Sequence, residues 1–173
     1  MKLQMISENL IFKASFIAYI EGWRNEIPDD PEEDYFAAYK DLLDDYEGGL
    51  KKRLSWNNPE HLHIGKPFVQ FYWLLNESDS IVGTIRYRTN VKEWMGNIGY
   101  EVSPKQRNRG YAKAMLRKLI DVLKKENRSN IKLTVSPINV PSIKVIENCG
   151  GKITGTTQRE SNNKTLNEYE ILI

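Results

Sequence analysis

Cysteine is nearly absent from this chain of 173 residues: Cys149 stands alone. A lone cysteine excludes an internal disulfide and a cysteine-based zinc site, and it agrees with a reducing compartment. Histidine is almost as scarce, with only His61 and His63. The sequence around them does not complete a metal site, and they read as surface residues. No apolar run approaches the length of a membrane span. The opening Met1-Lys2-Leu3-Gln4-Met5-Ile6-Ser7-Glu8 lacks the apolar core and small-residue cleavage site of a secretory signal, so a cytoplasmic location is expected. Net charge is also small, at +2, too little to suggest a nucleic-acid partner.

What is present is the composition of one ordinary globular domain, with 40% hydrophobic and 28% charged residues. The length suits a single core spanning 1–173. Charge is unevenly spread: residues 1–60 hold 7 basic and 13 acidic side chains, leaving 18 basic and 10 acidic in the remainder. The acidic half reads first as a solvated helix surface and second as an attractor for a cationic substrate such as an amine.

Periodicity divides the chain into segments. Residues 2–7 alternate weakly, as a strand would. Leu10, Phe12, Phe16, Ile17, Ile20 and Trp23 recur at helical spacing, which predicts a helix over 8–24. Asp30-Pro31-Glu32-Glu33 has the form of a capping box and predicts a second helix reaching Tyr46, ended by Gly48-Gly49, with irregular chain over 50–67. The aromatic and β-branched runs 68–75 and 81–88, separated by turn chemistry, predict an antiparallel hairpin. A third strand over 97–103 leads into a basic turn and an amphipathic helix over 111–127. A strand over 131–135, a helix over 141–148 stopped by Gly150-Gly151, and strands over 152–158 and 167–173 complete the order.

The turn Arg107-Asn108-Arg109-Gly110-Tyr111-Ala112 organises the rest. Between a strand and a helix, it leaves the first helical N–H groups unpaired and facing outward, which makes an anion seat. Gly110 allows close approach, Ala112 keeps the first turn small, and Arg107 and Arg109 add charge for diphosphate oxygens.

Arg107-x-x-Gly110-x-Ala112 after Tyr100-Glu101-Val102-Ser103-Pro104 resembles the acetyl-CoA-binding motif of the GCN5-related N-acetyltransferases, the GNAT superfamily. Asn139-Val140-Pro141-Ser142 followed by Glu147-Asn148-Cys149-Gly150-Gly151 is similar to the second signature of that superfamily. Two signatures in order, with the right elements between them, are a specific signal. The likeness is strongest to a group of bacterial predicted acetyltransferases of unassigned substrate. It covers 68–173 well and the N-terminal helices in outline.

The resemblance implies an α/β fold of the α+β type: a mixed, mostly antiparallel sheet of six to seven strands flanked by about four helices. It implies an acetyl-CoA-binding core over 68–173, with 1–67 forming the acceptor side. It also implies cofactor contacts at Arg107, Asn108, Arg109, Gly110, Tyr111 and Ala112 for the pyrophosphate. Tyr100 and Val102 are implied for the pantetheine arm, in a splayed gap beside the strand at 131–135, and Asn139 and Ser142 for the other side of the cofactor. The implied activity is direct acetyl transfer from acetyl-CoA to a primary amine, in a small molecule or a peptide, without a metal. A homodimer is a further possibility; a membrane partner is not expected.

Such a transfer needs a neutral amine, a path for its proton, and donors for the thioester oxyanion, which backbone N–H groups near Val102 can supply. Glu101 is the candidate base, weighed equally against a carboxylate paired on the sheet. Ile146 stands where the superfamily often has a tyrosine to protonate the thiolate. Ser142, Tyr169 or solvent would have to replace it, although Tyr169 reads first as a packing residue. Trp94 is the aromatic most suited to a substrate mouth, and Cys149 reads as a small buried hydrophobe. A non-catalytic acyl-CoA-binding or sensing domain is the alternative, and another nucleotide in the same seat a third.

Overall fold

The computed structural model describes residues 1–8, 10–26 and 34–173. Its organising strand is β2 (Phe68–Leu75), a nearly unbroken apolar run with little alternation. That pattern belongs to a strand covered on both faces. Around it lie β1 (Lys2–Met5), β3 (Ile81–Thr89) and β4 (Ile98–Val102), in the order β1-β2-β3-β4 with every pairing antiparallel. One face, with Tyr72, Leu74, Val82 and Ile85, packs on α6 (Tyr111–Lys125) through Met115, Leu116, Leu119 and Leu123. The opposite face, with Trp73 and Leu75, packs on Phe16 and Ile20 of α1 (Lys13–Glu21).

A second antiparallel sheet, in the order β5-β7-β6, consists of β5 (Asn130–Val135), β6 (Lys152–Gln158) and β7 (Thr165–Leu172). Helix α7 (Val140–Asn148) connects β5 to β6. The single sheet expected from the resemblance is therefore two sheets of four and three strands. Backbone hydrogen bonds join them at the start of β4 and β5. There Asn97 N–H donates to the Lys132 carbonyl at 2.7 Å, and the Asn97 side chain accepts from Lys132 N–H at 2.8 Å. Gly96, at φ +60, makes this approach possible: a Cβ there would lie 3.0–3.1 Å from the backbone of Lys132, Leu133 and Thr134. Beyond this junction β4 and β5 diverge.

The N-terminal region differs most from expectation. The first helix begins as a 3-10 turn at Leu10–Phe12 and is α-helical only over Lys13–Glu21. Residues 30–33, where a capping box was expected, lie outside the described residues. Gly48-Gly49 does not end a helix. Four helical segments follow instead: α2 (Tyr35–Ala38), α3 (Lys40–Asp44), α4 (Tyr46–Ser55) and α5 (Glu60–His63). The Asp45 side chain accepts from Gly48 N–H at 3.0 Å and restarts the helix, so both glycines fall inside α4. Gly49 permits the close contact with α3: a Cβ there would meet Leu42 Cδ2 at 2.7 Å. Seven α-helical segments rather than about four result among the described residues, because this half is cut into short segments, α2, α3 and α5 being only four or five residues long. No helix among those residues is long and apolar enough to cross a membrane.

Candidate active site

The basic turn expected to seat an anion leads into the start of α6. Gly110 is the N-cap with φ +76, and the first bond closing the helix runs from Ala114 N–H to the Gly110 carbonyl at 3.0 Å. Asn108 also has positive φ, at +61. Two left-handed residues in so short a turn aim successive N–H groups the same way, a geometry that suits anions. The backbone N–H groups of residues 108–113 have no protein acceptor among the described residues, and no side chain caps this end. A Cβ at Gly110 would meet nothing within 4 Å, so the space before the seat is open. The Arg107 guanidinium does not lie over the seat as expected. It bonds Glu26 at 2.9 Å and sits 5.1 Å from the ring centre of Trp23. No ion pair holds Arg109 among the described residues.

From the seat, the open edge of β4 leads inward. Ser103 N–H donates to Val82 and Arg88 N–H to Asn97, which fixes the alternation: odd residues of β4 pair with β3. The N–H and C=O groups of Ile98, Tyr100 and Val102 therefore face the gap toward β5. Across that gap, Asn139 caps α7, its side-chain oxygen accepting from Ser142 N–H at 3.1 Å. This cap accounts for the Asn-x-x-Ser pattern and leaves the Asn139 Nδ2 as a donor. The Tyr100 hydroxyl donates to the Ser142 carbonyl at 3.3 Å, and burial pushes its pKa up to about 12.

The gap opens into a cleft of about 820 Å³, solvent at its mouth included. Tyr100, Asn139, Ser142 and Ile146 line one end, on the side of α6 and α7. Ile146 is 2% exposed and presents only hydrocarbon there. Arg86, Arg88, Trp94 and Arg159 line the other end together with Tyr35 of α2. Arg86 and Arg88 alternate on the face of the sheet that carries α1, opposite the face that carries α6. A ligand held at 107–112 and threaded between β4 and β5 thus presents its far end to the arginines.

Glu101 lies on that same face but behind the cleft, with 1% of its side chain exposed. Its carboxylate accepts from Tyr39 Oη, from Thr84 Oγ1, and from Arg86 Nη1 at 3.1 and 3.0 Å. Arg86 lies over Gly99, where a Cβ would fall 2.9 Å from the guanidinium. Burial works to lower the Arg86 pKa, but Glu101 and then Tyr39 outweigh it and hold the guanidinium above its ordinary value.

Of the other singled-out residues, Trp94 reaches the cleft from a short 3-10 turn (Glu93–Met95). Tyr169 is buried in the core, 3.5 Å from Glu147. Cys149 is half-buried, and burial raises its pKa. His61 bonds the Pro67 carbonyl at 3.0 Å. On the helix surface Asp41 pairs with Arg53 and Lys52 and Asp44 with Lys40, and among the described residues no acidic side chain of the N-terminal half lines the cleft. Sequence reasoning missed Arg86, Arg88 and Arg159. The one available signal was two arginines at i and i+2 in an otherwise apolar strand.

No curated protein matches the chain significantly. Solved structures do, at identities that speak for the fold alone. A ribosomal-protein-S5-alanine acetyltransferase from Vibrio fischeri has TM-score 0.66 and 16% identity, covering 98% of this chain and 91% of that one. The microcin C7 self-immunity acetyltransferase MccE, in complex with acetyl-CoA and AMP, has TM-score 0.67 and 15% identity over 99% and 93%. A spermidine N-acetyltransferase variant from Vibrio cholerae has TM-score 0.63 and 17% identity over 99% and 92%. The profile of the Acetyltransferase (GNAT) family matches residues 19–150, most of the chain, and this chain belongs to that family.

Proposed function

We propose that the protein is an N-acetyltransferase that moves the acetyl group of acetyl-CoA to a primary amine by direct attack. The observation that carries this reading is the unpaired run of N–H groups at 108–113, continuous with the open edge of β4. The chemistry of this run fits the cofactor: N–H donors at a helix N-terminus for the diphosphate, strand-edge donors and acceptors for the amides of pantetheine, and Asn139 Nδ2 across the gap. Residues 1–67 form the acceptor side and 68–173 the cofactor core of one domain. Membership of the family supports the reading, as does a similar fold solved with acetyl-CoA.

In the reaction, the amine nitrogen bonds to the thioester carbonyl carbon, the C–S bond breaks, and coenzyme A leaves as the thiolate. One proton leaves the nitrogen and one reaches the sulfur. The Val102 N–H on the open edge is the candidate oxyanion donor. Glu101 is either the base or a carboxylate that positions Arg86. Its contacts favour positioning, since both carboxylate oxygens are turned to Arg86, Thr84 and Tyr39 and the side chain lies behind the cleft. For the sulfur, Ser142 lines the cleft and Tyr169 is turned into the core. Solvent or Ser142 therefore takes the place left by Ile146.

Ile146 also favours a second reading, an acyl-CoA-binding or sensing domain without turnover. Calorimetry with acetyl-CoA, followed by free-thiol release with a panel of amines, separates the two. Binding with amine-dependent thiol release supports the enzyme, and binding without release supports the sensor. A folded protein that binds no acetyl-CoA refutes both.

A further inference from the structure

The end of the cleft facing away from α6 and α7 is built for a negative charge. Arg86, Arg88 and Arg159 line it, and among the described residues no Asp or Glu does. Arg86 is balanced by Glu101. Arg88 has no such partner: its Nε donates to the Gly96 carbonyl at 3.1 Å and its Nη2 to Met95 at 2.5 Å. Those bonds hold the guanidinium in place without neutralising it. Its Nη1 has no acceptor among the described residues, and no carboxylate pairs with it there. Burial, and then the adjacent Arg86, lower its pKa to about 10, which leaves it cationic at neutral pH.

A second donor beside it is also unanswered. Trp94 lines the same end, and its buried indole N–H has no acceptor among the described residues. The Thr134 hydroxyl bonds the Trp94 carbonyl at 2.8 Å, which fastens the turn to β5. Arg159 lies over the Trp94 ring, 5.8 Å from its centre. The buried Trp94 donor is costly to leave unpaired, and the Arg88 charge at the same end of the cleft has no carboxylate against it among the described residues. An oxyanion answers both.

We infer that the acceptor of the acetyl group is an amine that also carries an oxyanion, a carboxylate or a phosphate, seated between Arg88 and Trp94. This rests on the acetyltransferase reading and narrows it, because a polyamine without an anion would place positive charge against this arginine cluster.

Matched acceptor pairs test the inference at saturating acetyl-CoA: lysine against cadaverine, arginine against agmatine, and phosphoethanolamine against ethanolamine. The anionic member of at least one pair is expected to have kcat/KM higher by about tenfold or more. Amino acids or phosphoethanolamine responding identifies which oxyanion the site takes. Arg88→Gln is expected to erase that preference through KM, with acetyl-CoA affinity unchanged, and Arg88→Lys to restore part of it. Equal or better use of the anion-free members, or a preference that survives Arg88→Gln, overturns the inference.

If no amine is acetylated, the anion site is still measurable. Inorganic phosphate and acetate, titrated with the protein, are expected to shift the Trp94 indole NMR signal saturably, and about tenfold more weakly in Arg88→Gln. No shift, or an equal one in the variant, overturns it. Because Trp94 reports only its own end of the cleft, this result stands apart from any failure of acetyl-CoA to bind.

Discussion

Gly110 separates two costs that most substitutions confuse. Its φ of +76 strains any side chain, yet a Cβ there meets nothing within 4 Å. Gly110→Ala therefore costs conformational energy alone, about 1 kcal/mol of folding stability, and little acetyl-CoA affinity. Gly110→Asp adds the same strain plus a carboxylate facing the N–H groups of 108–113. Two unit charges about 6 Å apart, at an effective dielectric constant of about 40, repel by about 1.4 kcal/mol. The two charges of a diphosphate then give roughly 3 kcal/mol, or about a hundredfold in Kd. Calorimetry on wild type and both variants, with thermal melts to confirm folding, reads these terms separately. Raising the salt should shrink the Asp penalty and leave the Ala effect unchanged. A folded Gly110→Asp protein that binds acetyl-CoA as tightly as wild type would refute the seat.

Three other outcomes follow from the same contacts. Glu101→Gln leaves Arg86 without its counter-charge and should cost about 3 kcal/mol of stability. A positioning role predicts a raised acceptor KM with an unchanged pH profile, whereas loss of the acidic limb of the kcat profile would establish Glu101 as the base. Asn139→Ala removes the α7 cap and should lower stability by about 1 kcal/mol in a denaturant titration; an unchanged midpoint would mean that the Ser142 N–H finds another partner. Burial raises Tyr46, Tyr72 and Tyr100 from 10.0 to about 12. Because the folded state favours their neutral forms, their stabilisation is complete below pH 10 and is lost as pH rises toward 12. Tyrosinate absorbance and circular dichroism, recorded together, should show late ionisation accompanied by unfolding. Normal titration near 10 in an intact fold would contradict the burial argument.

The sequence by itself determined the elements of 68–173 and the turn that leads into α6. Residues 107–112 carry their own geometry: a glycine and an asparagine able to adopt positive φ, and a helix start without a capping side chain, are local properties. The caps and strand runs of 68–173 were equally local, and their boundaries shifted by only a residue or two. Helices α2 to α5 were misjudged because a glycine pair normally ends a helix. Here Asp45 restarts it, and Gly49 serves the packing of Leu42, a contact that no periodicity encodes.

Tertiary structure alone decided the site beyond the seat. The junction from which β4 and β5 diverge depends on Gly96 lying against the backbone of residues 132–134. The pairing of Glu101 with Arg86, Thr84 and Tyr39 depends on strand register and on a helix more than sixty residues earlier in the chain. Arg88, Trp94 and Arg159 share one end of a cleft only because three separate segments converge there. A side chain's type is written in its own codon, but whether its charge is answered depends on what the fold brings beside it. That is why the turn with its unpaired N–H groups was legible in one hexapeptide, while the charge at the far end of the cleft emerged only from the folded chain.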